Sequence, residues 1–310
     1  MERQKLCRSC IILRERLEKF LLEKGADQLS IENIISRYPK SITLRFKDIA
    51  EVWDLWQSVL QTEAAILMII ERSPESFFRS GGVEKLSENL SLLYSLGLTP
   101  KILRELVVKS PRTLSYSVEL NKNKVAFLRE LCVHMGGEDP DDFVRQVITS
   151  NIFILTRSTK RLKANIESIQ SLMKLENQDL LSWLQGEAAH VLNLCNMYLE
   201  ENFLHIHQKM QSLGYLEEDV TNYIIKCPSV LLLSPNVFTC KINLLLDCGI
   251  ETLRILDTHS LLEVSLPTLR NKVKVLEQLG YNFKSNGPGI LVLSKSRFVP
   301  KLEKLAKLQT

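Results

Sequence analysis

One short spelling recurs along this chain and leaves few folds open to it. A proline with a polar or small residue before it and an apolar residue three places after it appears as Tyr38-Pro39 with Ile42, Ser73-Pro74 with Phe77, and Ser110-Pro111 with Leu114. It returns as Cys227-Pro228 with Leu231 and Gly287-Pro288 with Leu291. Looser copies at Asn151 with Ile154, Ala189 with Leu192 and Ser260 with Glu263 fill the gaps, so consecutive anchors lie 35, 37, 40, 38, 39, 32 and 28 residues apart. A period in that range marks a stack of helical units. Such a stack presents an extended surface rather than a single deep pocket.

The clearest unit begins at Pro111. Proline cannot donate to a helical ladder and restrains the residue before it, so Lys109-Ser110-Pro111 ends one helix and makes a turn. Leu114 points inward. A helix from about Leu120 then carries Val125, Leu128, Leu131 and Cys132 at helical spacing, and Gly136-Gly137 closes it. Asp139-Pro140 opens a further helix that buries Phe143, Val144, Val147 and Ile148. Leu96-Gly97-Leu98, Leu213-Gly214-Tyr215, Cys248-Gly249-Ile250 and Leu279-Gly280-Tyr281 repeat the glycine punctuation. Neither helix of a unit can bury its apolar stripe alone, so the units must stack. The pattern predicts an all-α, helical-repeat solenoid of about eight units over residues 1–310, without separable domains.

Composition agrees with a folded helical chain and excludes several classes. Hydrophobic residues make up 45% and charged residues 25%, while aromatics at 7% and few alternating β-branched runs argue against a sheet protein. The net charge of +4 permits an anionic partner without demanding one. Seven cysteines, an odd number, indicate a reducing compartment. Cys7-x-x-Cys10 has no second pair to complete a zinc site, and Cys132, Cys195, Cys227, Cys240 and Cys248 read as core. The longest apolar run, Ala64 to Ile70, is far below the ~20 residues that a bilayer requires, so no membrane partner is expected. Arg3, Arg8, Arg14 and Arg16 near the start resemble a transit peptide, but Glu2, Glu15 and Glu18 interrupt them, and the stretch reads as a first helix.

The residues that would signal catalysis are missing from the sequence. It has no glycine-rich phosphate loop, no Gly-x-Ser-x-Gly and no His-Glu-x-x-His. His205-x-His207 on a helix directs its rings to different sides, a poor arrangement for a metal. No enzyme activity, cofactor, metal or small-molecule substrate is expected. The densest basic cluster, Arg157-Ser158-Thr159-Lys160-Arg161-Leu162-Lys163, follows a repeat turn. It suits either a phosphate contact or a solvated helix start. Arg72, Arg79 and Arg112 flank the turns of the second and third repeats, and Arg297 follows the last. Stacked turns line one edge, where a nucleic acid could be tracked.

With Pro-x-x-Leu, a helix, Leu-Gly-Leu or Leu-Gly-Tyr and a second helix, the chain resembles the mitochondrial transcription termination factor family from about Lys24 to Leu308. Ile35-Ser36-Arg37-Tyr38-Pro39, the stretch from Glu71 to Arg79, and Ser158-Thr159-Lys160-Arg161 are closest to its terminator-binding members. The resemblance implies a left-handed, curved superhelix that wraps double-stranded mitochondrial DNA as a monomer, bends and unwinds it, everts bases and terminates or regulates transcription. It implies location in the mitochondrial matrix and its nucleoid. RNA binding in ribosome assembly, or a protein-binding scaffold, is the alternative. Matched positions imply groove contacts at Arg79, Arg112, Arg161 and Arg297, and base stacking at Arg72, Phe153 and Tyr198. Without the resemblance, Phe153 in Asn-Ile-Phe-Ile-Leu reads as core and Tyr198 is ambiguous. Two departures, His259-Ser260 for Pro-Arg and Glu200-Glu201 for basic residues beside Tyr198, remove positive charge.

Overall fold

The structure, a computed structural model, describes residues 8–79 and 83–307. Among these the regular elements are helices, with no strand, as the repeat predicts. Contacts concentrate within two compact units, residues 1–159 and 160–310. The first contains α1 (Arg8–Glu23), α2 (Gln28–Arg37), α3 (Phe46–Leu60), α4 (Glu63–Arg72), α5 (Pro74–Phe78), α6 (Val83–Ser95), α7 (Pro100–Lys109), α8 (Arg112–Ser115), α9 (Val118–His134) and α10 (Pro140–Ser150). The second contains α11 (Thr159–Met173), α12 (Asn177–Gln185), α13 (Asn196–Gln211), α14 (Glu217–Lys226), α15 (Pro235–Asp247), α16 (Thr252–Asp257), α17 (Leu266–Gln278), α18 (Phe283–Asn286) and α19 (Lys295–Lys307).

The same local rules build both units. A long helix is followed by a short one, and a single tight turn at the anchor leads into the next long helix. Pro39, Pro74 and Pro228 open their anchor turns, where the missing amide costs no bond. Phe77, Leu114, Ile154, Leu192, Leu231 and Leu291, each three places after its anchor, are buried. The seventh copy differs: Glu263 is exposed and Leu262 buried, so that turn starts one residue early, at His259. Helix starts are capped by short polar side chains, as when Thr99 accepts from the Ile102 amide and Ser234 from the Val237 amide.

Left-handed residues follow the long helices. Gly136, at φ 81°, lets the Gly137 amide reach the Cys132 carbonyl at 2.8 Å. Gly249 sits at φ 74°, and a Cβ there would lie 3.2 Å from Cε of Lys284. The lysine can swing aside, so the cost of Gly249→Ala is mainly conformational. It is expected to lower stability by ~1–2 kcal/mol, read as a shift in urea midpoint. A midpoint equal to wild type would show that this turn relaxes to negative φ.

Of the helix expectations, Val125, Leu128, Phe143, Val144, Val147 and Ile148 are buried, whereas Leu131 is only half-buried. Cys132 and Cys227 are core, but Cys195, Cys240 and Cys248 are half-buried, because they flank the apolar stripe instead of occupying it. Cys7 lies outside the described residues, as does the side chain of Cys10.

A set of polar residues lies inside this apolar core or, for Lys272, at its edge. Asn89, Lys124, Asn165, Asn202, Lys241 and Lys272 are each the seventh residue of a long helix. Each donates to backbone carbonyls at the following anchor turn. Asn89 reaches Tyr116 O at 2.9 Å, Asn165 reaches Leu194 O at 2.8 Å, and Asn202 reaches Leu231 O at 2.8 Å. Lys124 bonds Leu155 O, Lys241 reaches Leu262 O at 2.5 Å, and Lys272 reaches Leu291 O and Leu293 O at 2.7 and 2.6 Å. The tight turns leave these carbonyls without helical partners, and a buried unpaired carbonyl is costly, so each of these six long helices staples the next repeat's turn.

Candidate nucleic-acid interface

The short helices carry charge in a consistent order. Acids stand at their starts, as with Glu63 on α4, Asp141 and Asp142 on α10, and Glu217, Glu218 and Asp219 on α14. Basic residues stand at their ends, as with Arg37, Arg72, Lys109 and Lys226. Each sign matches the helix macrodipole, and the order gathers positive charge where the short helices run into the anchor turns. Two of these cations also bridge repeats. Arg37 donates to the Glu71 and Arg72 carbonyls at 2.5 and 2.8 Å, and Arg72 in turn donates to the Val108 carbonyl.

In the first unit this edge opens into a cleft of about 380 Å³, lined chiefly by Arg72, Lys109, Arg112, Tyr116, Phe153 and Arg157. The residues come from the turns of three consecutive repeats. The cleft therefore brings together three residues singled out in the sequence, Arg72, Arg112 and Phe153. It includes Arg157 from the basic cluster and adds Lys109 and Tyr116, which the sequence did not mark as contacts. Arg72 and Arg112 are exposed and Phe153 is half-buried. Phe153 directly precedes the turn Ile154–Thr156, which the buried Asn151 shapes by accepting from the Phe153 amide at 3.2 Å.

Two carboxylates partly balance the four cations. Glu75 accepts from Arg112 at 3.2 Å, and Glu105 from Lys109 at 2.5 Å. Burial pushes the Glu75 carboxyl up, but its own backbone amide, Ser73 and Arg112 outweigh that and hold it below the ordinary value. The bond from Lys109 lowers Glu105 likewise. The cleft keeps a net positive charge beside an aromatic ring.

The remaining candidates lie elsewhere. Arg79, exposed, borders a separate groove whose floor includes Tyr38, Phe77 and Phe78. Arg161 is half-buried in the second unit, where Nε donates to Leu194 O at 2.9 Å and a terminal nitrogen to Asn193 O at 2.6 Å. Those carbonyls immediately precede α13, whose first turn holds Tyr198, 54% exposed. Glu200 on the same helix accepts from Ser168 at 3.0 Å and Asn196 at 2.8 Å, while Glu201 is exposed. Arg297 is exposed on the first turn of α19.

The histidine rings diverge as expected: His205 meets Thr239 on α15, whereas His207 is buried against Thr221 on α14. Burial lowers the His207 pKa against the opposing pull of Glu217. Among the described residues no group of three or more His, Cys, Asp or Glu is placed to hold a metal, and no helix is long and apolar enough to cross a membrane.

The mTERF family model matches residues 11–299. The chain belongs to the mTERF family. It is 40% identical over 291 residues to the human "Transcription termination factor 1, mitochondrial", covering 94% of this chain and 73% of that protein. The rat protein of that name is 39% identical over 292 residues, covering 94% and 78%. The human "Transcription termination factor 2, mitochondrial" is more distant, 27% identical over 295 residues, with 94% and 75% covered.

Proposed function

We propose that this mTERF-family chain is a mitochondrial, sequence-specific, double-stranded DNA-binding protein. In this reading it acts as a monomer and terminates or regulates transcription by bending and unwinding the duplex and everting bases. The observation that carries the reading is the basic, aromatic-walled cleft built by three consecutive turns. The names of its relatives point the same way. Extruding a base costs a few kcal/mol of stacking. A ring or guanidinium plane returns ~1–3 kcal/mol per base, the role assigned to Arg72, Phe153 and Tyr198. Arg79, Arg112, Arg161 and Arg297 serve as groove and backbone contacts.

Gel shifts that compare duplex DNA, ribosomal RNA and single strands across a salt series test this. Wild type is expected to prefer duplex. Arg112→Ala should weaken binding and reduce the slope of log K against log salt by about one. Tighter binding to RNA or to single strands would overturn the duplex reading. An isotherm and slope equal to wild type would remove Arg112 from the interface.

A further inference from the structure

Lys124 lies directly behind the cleft. Its side chain is 3% exposed, its ammonium donates to the Leu155 carbonyl, and it sits 4.3 Å from the centroid of the Tyr116 ring. Tyr116 forms one wall of the cleft, and Leu155 belongs to the turn that carries Phe153 and Thr156 on another. Stapling a turn does not require a cation, since Asn89, Asn165 and Asn202 do it from the same helix position as neutral amides. At Lys124 a positive charge has been buried at a cost, and it faces a ring that borders the proposed ligand.

We infer that Lys124 is a positioning residue for nucleotide binding in this cleft. It holds the Tyr116 wall and the Phe153 turn in place and supplies positive potential from behind them, so that an anionic nucleotide entering the cleft favours the protonated amine and draws a proton onto it. The inference rests on the DNA reading given above. Burial brings the Lys124 amine down from 10.5 to about 8, which places it where a nearby phosphate can change its occupancy. Tyr116 lies against the amine. Of the charged groups on the elements around it, Glu84, Lys85 and Glu88 on α6, Asp141 and Arg145 on α10, and Arg112 at α8 are exposed. Asp142 on α10 and Arg157 after the turn are half-buried, and the charges of α9 itself, Glu119, Lys122, Arg129, Glu130 and His134, are exposed.

Calorimetric titration with a mixed-sequence duplex of about 20 base pairs, in two buffers of different ionisation enthalpy, counts the protons. If binding raises the Lys124 pKa by one, wild type takes up about 0.4 proton at pH 8, and its affinity falls about fivefold from pH 7 to pH 9. Lys124→Met is expected to lose the uptake and flatten the profile. Lys241→Met, which removes the equivalent staple in the second unit, is expected to keep both. Should Lys124→Met not fold, Tyr116→Leu serves: it opens the amine to water, returns its pKa towards 10.5 and removes the uptake at pH 8. Duplex binding by wild type without proton uptake, or with uptake unchanged in the variants, overturns the role of Lys124. Failure of wild type to bind duplex at any pH overturns the DNA reading instead.

Discussion

Alanine at both Arg161 and Asn165 is expected to destabilise the second unit by about 3–5 kcal/mol. The two side chains converge on one turn. Asn165 donates to Leu192 O and Leu194 O at 3.3 and 2.8 Å, and Arg161 donates to Asn193 O and Leu194 O at 2.6 and 2.9 Å. Removing both donors leaves consecutive carbonyls at a half-buried site without these partners, and hydrogen bonds from a guanidinium are worth more than neutral ones. Urea unfolding followed at Trp183, which lies in the second unit while Trp53 and Trp56 lie in the first, reads the loss. Arg161→Lys should recover only part of it, because an ammonium cannot reproduce the two-pronged contact. An unchanged midpoint in the double variant would show that folding does not need these two donors.

The sequence was informative wherever a residue type has one local consequence. Pro39, Pro74 and Pro228 must begin turns, Gly136 must follow a helix, and Phe143, Val144, Val147 and Ile148 share a helical face. The helix ends and turns at these positions followed from such residues. The seventh anchor was displaced because its third residue is the charged Glu263, so that Leu261 and Leu262 set the register by burial. The staples were missed for a different reason. Asn89 falls among Leu86, Leu90 and Leu93, where a polar residue reads as an interruption of the stripe. Its purpose becomes clear only once the next turn's carbonyls are seen to lie against it. The cleft was half legible: arginines beside turns, Arg157 among them, stand out, but Lys109 and Tyr116 join it only through stacking of repeats tens of residues apart in sequence. Recurrence of a polar residue at the seventh position of successive long helices was the available signal.

Between pH 8 and 10.5 the wild-type first unit is expected to gain about 3 kcal/mol of stability relative to Lys124→Met. The amine has an ordinary value of 10.5 and a folded value of about 8. Below about pH 8 both folded and unfolded chains hold the proton, so the folded state bears the full cost of burying the charge. From pH 8 to 10.5 the unfolded chain still binds the proton while the folded chain has shed it, so stability rises with pH. Above 10.5 neither state is charged and the cost is gone. Methionine fills similar volume without a charge, so the variant escapes the cost but leaves the Leu155 carbonyl without its donor, a loss of ~1–3 kcal/mol. The two terms nearly cancel at pH 7, where variant and wild type should unfold at similar urea concentrations. At pH 10 wild type should be clearly the more stable. Urea titrations at pH 7, 8, 9 and 10, followed by Trp53 and Trp56 fluorescence, give the difference curve, in which the ionisations common to both proteins drop out. A flat difference from pH 7 to 10 would show that the buried amine keeps its ordinary affinity for the proton, and the cation against Tyr116 would then carry no measurable burial cost.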